Sequence, residues 1–436
     1  MDDAWIGATY RSDPGWSLLE RLVDVGSRMA GTDGEAAGAR LVAEALGQID
    51  VTDVWTESFT LTGWERESSV LTVDGTDHAC IALPRSPATT AHGPLLDVGY
   101  GRPTDFEAAD LDGGIALVRS DVPSHHDRYI HRREKYFRAV DAGATGFIYR
   151  NHVDGQLPPT GSVGGSDTPI GPVPAVGVSA EVGTRLARRH AGAETTLRVD
   201  ATIEDAESTN VHARLGPETD ERVLITAHHD AHDIAEGAID NASGTAAVLE
   251  VARGLAHRLD ELDYGVECVV FGAEEVGLLG STHDAIQRED PVRAVLNSDA
   301  VVGARDLTVY AHGSDALASV ARAAGEALGY PVTVTPKHNP HRDHWPYVRR
   351  GVPGAMILGD HDDDGRGWGH THADTFDKLD RRNLQEQSLF VTELAARVAS
   401  ADLTLPQRET AAIATELEAQ NAAAGMQYIG TWPFDR

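Results

Sequence analysis

The chain has 436 residues, 41% of them hydrophobic, and 37 basic against 68 acidic side chains give a formal net charge of −31. Such an acidic surplus excludes a nucleic-acid binder, whose partner's phosphates need a basic surface, and apolar residues in periodic blocks exclude a disordered chain. Only Lys135, Lys337 and Lys378 are lysines; a surface rich in carboxylates and poor in lysine stays hydrated in concentrated salt, where screening cuts the reach of charge to about 3 Å at 1 M, so a halophilic cytoplasm is the expected setting.

Asp13-Pro14 followed by Leu18, Leu19, Leu22 and Val23 predicts a capped amphipathic helix, and 35–46 predicts a second. Strands are expected near 51–60 and 67–73. From about 82, short apolar runs between Gly and Pro clusters ("GPLLDVGYG", "GGIALVRS", "GATGFIYR", "PVPAVGVS") predict a compact β-rich unit with about one helix, 129–142. After about 200 the texture becomes buried strands alternating with helices: "RVLITAHHD", "SGTAAVLEVARGLAHRL", "VECVVFGAEE", a further helix, then "RAVLNSDAVV". This predicts a mostly parallel sheet covered on both faces. "DLTVYAH", a helix over 314–328, a strand at "PGAMILG" and a long helix from Asn383 follow; 401–436 carries no assignable pattern. The length predicts more than one domain, divided at 1–81, 82–200 and 201–436. Cys80 and Cys268 are expected as reduced thiols. The acidic N-terminus has no secretion signal, and no run approaches about 18 apolar residues, so a cytoplasmic protein without a membrane span is expected.

The chemistry-bearing residues sit at strand ends. His228 and Asp230 follow "VLITA", Glu274 and Glu275 follow "VECVVFGA", Asp299 follows "AVLNS", and Asp240 opens the helix beyond "DNASG". Open α/β sheets place their ligand crevice at the carboxyl ends of strands, so these distant groups are expected to converge. Zinc takes imidazole nitrogen and carboxylate oxygen, and one ion needs about three protein ligands. The candidates exceed that number, which points to two ions about 3.5–4 Å apart sharing one carboxylate.

The strings "AHHD", "GAIDNASGTA", "FGAEEVGLLGS", "LNSDAVVG", "RDHWPYVRRGVPGAMI" and "GHTHADTFDKLD" resemble, in order and spacing, the motifs of metallopeptidase family 28, the co-catalytic zinc aminopeptidases and their carboxypeptidase relatives. "SRMAGTDGEAAGARLVAEAL" resembles that family's N-terminal helix. The resemblance implies the zinc exopeptidase fold, a mixed, mostly parallel sheet sandwiched by helices, and two Zn²⁺ ions per chain. It implies His228, Asp240, Glu275, Asp299 and His370 as metal ligands, with Asp240 as the bridge. It further implies Glu274 as general base and Asp230 as the carboxylate that orients His228. Asp343 and His344 match the family's S-D-H motif, with Arg342 in the place of the serine, and are expected to line the substrate pocket; a neutral His344 could donate to an oxyanion. His229, His232, His338, His341 and His372 are left off the ligand list as ordinary surface or polar-pocket histidines. Asp233 fits the H-x-D-x-x-D spacing of the carboxypeptidase-like branch or is a loop carboxylate. The unit at 82–200 resembles a protease-associated domain, either a determinant of substrate size or a lid with no such role.

The expected activity is that of a zinc-dependent exopeptidase, an aminopeptidase acting on short peptides. The alternative on the same scaffold is a carboxypeptidase or dipeptidase, which would use an arginine such as Arg342, Arg349 or Arg350 to hold a terminal carboxylate. A non-catalytic receptor-like module is the alternative from another class; ligand loss would be its mark, and no ligand is lost. Composition and motifs leave the oligomeric state open.

Overall fold

The computed structural model describes residues 4–49, 53–165, 168–360 and 367–434. A central run of four parallel strands, Gly354–Gly359, Val292–Ser298, Arg222–His228 and Gly265–Phe271, carries the strand ends named above. Leu307–Tyr310 continues the sheet antiparallel to Gly354–Gly359 on one side, and Glu194–Leu215 joins antiparallel to Gly265–Phe271 on the other. These strands are apolar on both faces because both are covered. Val223, Ile225 and Ala227 pack with the helices Pro14–Asp24, Asp33–Leu46, Ser243–Ala256, Asp315–Leu328 and Arg381–Val398. Leu224, Val269, Phe271 and Val295 point the other way, as the period of two along a strand requires.

The second face is closed partly by the segment that carried no sequence pattern. Helices Thr410–Ala419 and Ala423–Tyr428 place Ile413, Leu417 and Met426 against it. The tail also reaches the inserted unit, where Arg138 lies over the Tyr428 ring at 3.9 Å.

The two strands expected at 51–60 and 67–73 are one, Asp53–Val73, with residues 51 and 52 outside the described part. It pairs antiparallel with Glu194–Leu215 along almost its whole length, with a register shift between Arg66 and Ser68. The ribbon was hidden because its middle, around 202–207, is solvated, so polar residues there break the alternation a half-buried strand would show. Gly63 has a local reason: a Cβ there would lie 2.8 Å from the Ala206 Cβ across the ribbon.

Residue 200, where the sequence reading divides the chain, falls inside this ribbon. Its 194–198 half pairs with Thr90–Gly99, and its 211–215 half pairs with Gly265–Phe271, so one strand belongs to both sheets. In the inserted unit Thr90–Gly99, Ile115–Arg119, Gly146–Arg150 and Ala175–Val178 are parallel neighbours. This unit holds three helices, not the one expected: Pro103–Ala108 and Arg132–Asp141 are crossovers between parallel strands, and Ala180–Arg189 leads from Ala175–Val178 back to Glu194–Leu215. The expected helix 129–142 starts at Arg132 because the His131 side chain caps it, accepting from the Arg133 N–H. Among the described residues no helix is long and apolar enough to cross a membrane.

Candidate metal centre

The four parallel strands end on one edge of the sheet, and the loops leaving them carry the candidate ligands. His228 is the last residue of its strand; Glu274 and Glu275 follow Phe271, and Asp299 follows Ser298. Asp240 sits in the irregular turn Ala238–Ala242 that feeds the helix Ser243–Ala256. His370 lies in the loop after Gly354–Gly359 with φ at 57°.

These loops bring the five predicted ligands into two adjoining clusters. In the first, one ligand atom each of His228, Asp240 and Asp299 lies within 4.8 Å of the others. His228 Nε2 is 3.3 Å from Asp240 Oδ1 and 3.7 Å from Asp299 Oδ2. In the second, His370 Nε2 is 3.2 Å from Asp240 Oδ2 and 3.3 Å from Glu275 Oε2. Asp240 therefore offers one oxygen to each cluster. Two ligands on a tetrahedral zinc with bonds of about 2.0–2.1 Å lie roughly 3.3–3.4 Å apart; three of the separations, at 3.2–3.3 Å, are close to this, and His228–Asp299 is wider at 3.7 Å. His228 Nε2, Asp240 Oδ1, Glu275 Oε1 and both Asp299 oxygens are buried without a hydrogen-bond partner. Buried carboxylates facing one another in this way require a cation. The donor set, one imidazole and two carboxylates per cluster, suits zinc.

The surrounding groups hold this arrangement in place. The Asp230 carboxylate accepts from the Glu274 and Glu275 backbone N–H groups at 3.0 and 3.1 Å, and it lies 3.3 Å from His228 Nδ1. One side chain thus orients both the histidine and the Glu-Glu pair. Burial pushes the Glu274 carboxyl well above the usual carboxylate range, with Glu275 and Asp343 adding to the rise. Asp343 is fully buried near His228 and Asp299, and burial raises it to about 7.

His344, expected to line the substrate pocket, contacts Asn339 and a neighbouring histidine. Its Nε2 faces the Asn339 carbonyl at 3.0 Å, its ring stacks on His312 at 4.3 Å, and burial depresses it to about 3. His344 is the N-cap residue of the short helix Trp345–Val348. Arg342 faces the clusters, with Nη1 3.1 Å from Asp299 Oδ2 and 3.7 Å from Asp240 Oδ2. The Asp233 carboxylate is taken up by Arg66 of the ribbon at 2.7 Å.

Several functional residues escaped the sequence reading. His232 belongs with the second cluster: its Nε2 is 2.9 Å from Glu275 Oε2, and its ring meets His370 edge-on at 4.6 Å. The H-x-D-x-H spacing was the available signal. Arg28, wholly buried, donates to the carbonyls of Leu22, His229, Glu236 and Gly237 at 2.8–2.9 Å, tying the His228 loop to the Asp240 loop. Asp374 accepts from the Ile239 and Asp240 N–H groups at 2.6 and 3.1 Å. Glu35 accepts from Ala273 N–H at 2.9 Å, next to Glu274. His232, Asp240, Glu275, His370 and Asp374 line a small pocket that opens to solvent. The inserted unit touches the centre directly, through the Thr160 N–H on the His370 carbonyl at 2.9 Å.

The sequence profile described as Peptidase family M28 matches residues 210–395, which hold both clusters, and that of the PA domain matches residues 76–186. Aminopeptidase YwaD of Bacillus subtilis (strain 168) is 29% identical over 403 residues, covering 88% of this chain and 84% of the relative. The structure of BSAP, a zinc aminopeptidase from Bacillus subtilis, superposes with a TM-score of 0.72 at 27% identity, over 92% of this chain and 98% of that one. An aminopeptidase from Aneurinibacillus sp. strain AM-1 gives a TM-score of 0.71 at 27% identity, over 93% and 98%. The M28 profile thus falls on the part of the chain that holds both clusters, the PA profile falls on the inserted unit, and most of the chain aligns with aminopeptidases.

Proposed function

We propose that the protein is a zinc-dependent exopeptidase with two ions per chain, an aminopeptidase that releases amino-terminal residues of short peptides. The observation that carries this reading is the Asp240 carboxylate, one oxygen of which faces each cluster. His228 and Asp299 would complete the first ligand set, and Glu275 and His370 the second; His232 stands beside the second as an additional donor. Divalent ions bound there would supply Lewis acidity, bringing the pKa of a bound water down toward about 7.

The chain's own groups supply the proton transfer and the geometry. Glu274 takes a proton from the attacking water and returns it to the leaving amine, and a carboxyl whose proton affinity is raised by burial is suited to both steps. Asp230 fixes the backbone of Glu274 and Glu275 by accepting from both of their N–H groups. The relatives named as aminopeptidases support the direction of cleavage. Arg342 supports a second reading, cleavage of peptides held by their terminal carboxylate, because its guanidinium is 22% exposed beside the clusters. Arg350 instead donates to the Ala285 carbonyl. The acidic, lysine-poor composition supports a cytoplasmic setting in a halophilic cell.

The test is a panel of dipeptides blocked at either end and assayed in high salt. Acetylation of the amino terminus abolishes cleavage on the aminopeptidase reading, and amidation of the carboxyl terminus abolishes it on the other. Cleavage that survives both blocks overturns the exopeptidase assignment.

A further inference from the structure

A second group of metal-seeking side chains lies away from the catalytic clusters, at the root of the ribbon. Glu57 is on the strand Asp53–Val73, His212 on its partner Glu194–Leu215, and Asp284 on the helix Leu279–Gln287 just beyond the Glu274–Glu275 loop. One ligand atom of each lies within 4.8 Å of the other two. We propose that Glu57, His212 and Asp284 form a further divalent-cation site, matched to zinc, which clamps the ribbon to the catalytic sheet. The inference goes beyond the peptidase activity and does not depend on it.

His212 carries the argument. Its ring is 2% exposed, and its Nε2 is buried without a hydrogen-bond partner. Its other nitrogen is committed: Nδ1 lies 3.1 Å from Glu267 Oε1. With the Nδ1–H donated to that carboxylate, the imidazole is the tautomer whose Nε2 bears a lone pair. That lone pair faces the Glu57 carboxylate, whose Oε2 is 3.8 Å away. Such a separation is too long for a hydrogen bond and leaves room for an ion between the two. A carboxylate that accepts from one imidazole nitrogen while the other nitrogen ligates is the usual outer support of a metal-bound histidine.

The supporting shell is rigid. Glu267 is fully buried and held by Arg288 at 2.6 Å and Arg214 at 3.0 Å. The His212 ring lies flat against Trp55, with centroids 4.8 Å apart and planes 9° from parallel. Asp284 also receives Arg288 at 3.0 Å and the Tyr347 hydroxyl. Around His212 the four carboxylates of Glu57, Glu267, Asp284 and Asp290 face the guanidiniums of Arg214 and Arg288, and Glu57 Oε1 also lies 3.2 Å from His283 Nε2. Arg222, 3.8 Å from Asp290, is matched by its own partner Glu218. With His212 and His283 both neutral, the surplus of two negative charges equals the charge of one divalent ion. The donors, one imidazole and two carboxylates, repeat the set of the His228, Asp240 and Asp299 cluster, which is why zinc is named.

The experiment uses the full-length protein, loaded with Zn²⁺ and dialysed against metal-free buffer, with zinc per chain read by elemental analysis. His212→Gln is expected to bind one zinc ion fewer per chain than the wild type, and so is Glu57→Gln. Glu57, at a partly exposed edge, can lose its charge without loss of the fold, so it decides the question if the His212 variant does not fold. Anomalous diffraction at the zinc edge is expected to show a peak within bonding distance of His212 Nε2 in the wild type. Equal zinc content in the wild type and Glu57→Gln, or no such peak, overturns the proposal and leaves a protonated His212 paired with two glutamates.

Discussion

Arg28→Met removes the clasp between the two loops that bear His228 and Asp240. The side chain makes four hydrogen bonds to carbonyls, three of them fully buried, at 2.8–2.9 Å. A hydrogen bond to a charged group contributes about 1.5–3 kcal/mol, so the three buried bonds amount to roughly 5–9 kcal/mol. Against this stands the cost of the buried charge. Burial drives the guanidinium pKa from 12.5 to about 10, equivalent to about 3 kcal/mol at 1.36 kcal/mol per unit. The net loss in the methionine variant is then about 2–6 kcal/mol. With an unfolding entropy of about 2.1 cal/mol/K per residue over 436 residues, about 0.9 kcal/mol corresponds to each degree of Tm. The expected fall is about 2–6 °C by calorimetry. Because both ligand loops are loosened, zinc affinity should also weaken by about 10–100-fold, the usual effect of lost outer support. Arg28→Lys keeps the charge without the planar fork and should fall between. A methionine variant that melts within about a degree of the wild type with unchanged zinc affinity would refute the reasoning.

Glu274→Gln should keep its metal and lose about 10²–10⁴-fold in kcat; full zinc content with normal turnover would remove Glu274 as the general base. The pH dependence of stability is expected to carry the mark of His229, which is wholly buried, presents its Nε2 to the Thr209 carbonyl at 2.8 Å, and is held by burial at about 4. Below pH 6.5 the unfolded chain binds a proton that the folded chain refuses until about pH 4, so stability is lost as the pH falls through that window. At 1.36 kcal/mol per unit the loss approaches about 3 kcal/mol. His229→Gln, whose amide can donate to the same carbonyl, should flatten the limb between pH 6.5 and 4 in a denaturant titration; an identical profile would count against a neutral buried imidazole.

The alternation of strands and helices after residue 200 was legible because strands buried on both faces read as continuous apolar runs. The same register told which polar residues leave strand ends, so the convergence of His228, Asp240, Glu275, Asp299 and His370 could be anticipated from motif order. What was not legible depends on tertiary contact. Arg28 and Glu35 acquire their tasks only when a helical hairpin from the N-terminus meets loops some 200 residues away in sequence. His232 looks like any loop histidine until Glu275 stands 2.9 Å from it. The solvated ribbon shows no hydrophobic period, and the tail helices carry too few apolar residues to stand out before the sheet face they cover is known.

Because Glu194–Leu215 is laddered into both sheets, the PA unit cannot swing as a hinged flap without rupturing backbone pairing. The Thr160 N–H on the His370 carbonyl adds a second tie between this unit and the loop that bears His370. A role for the unit in selecting substrates by length would then rest on built-in architecture and not on a hinge.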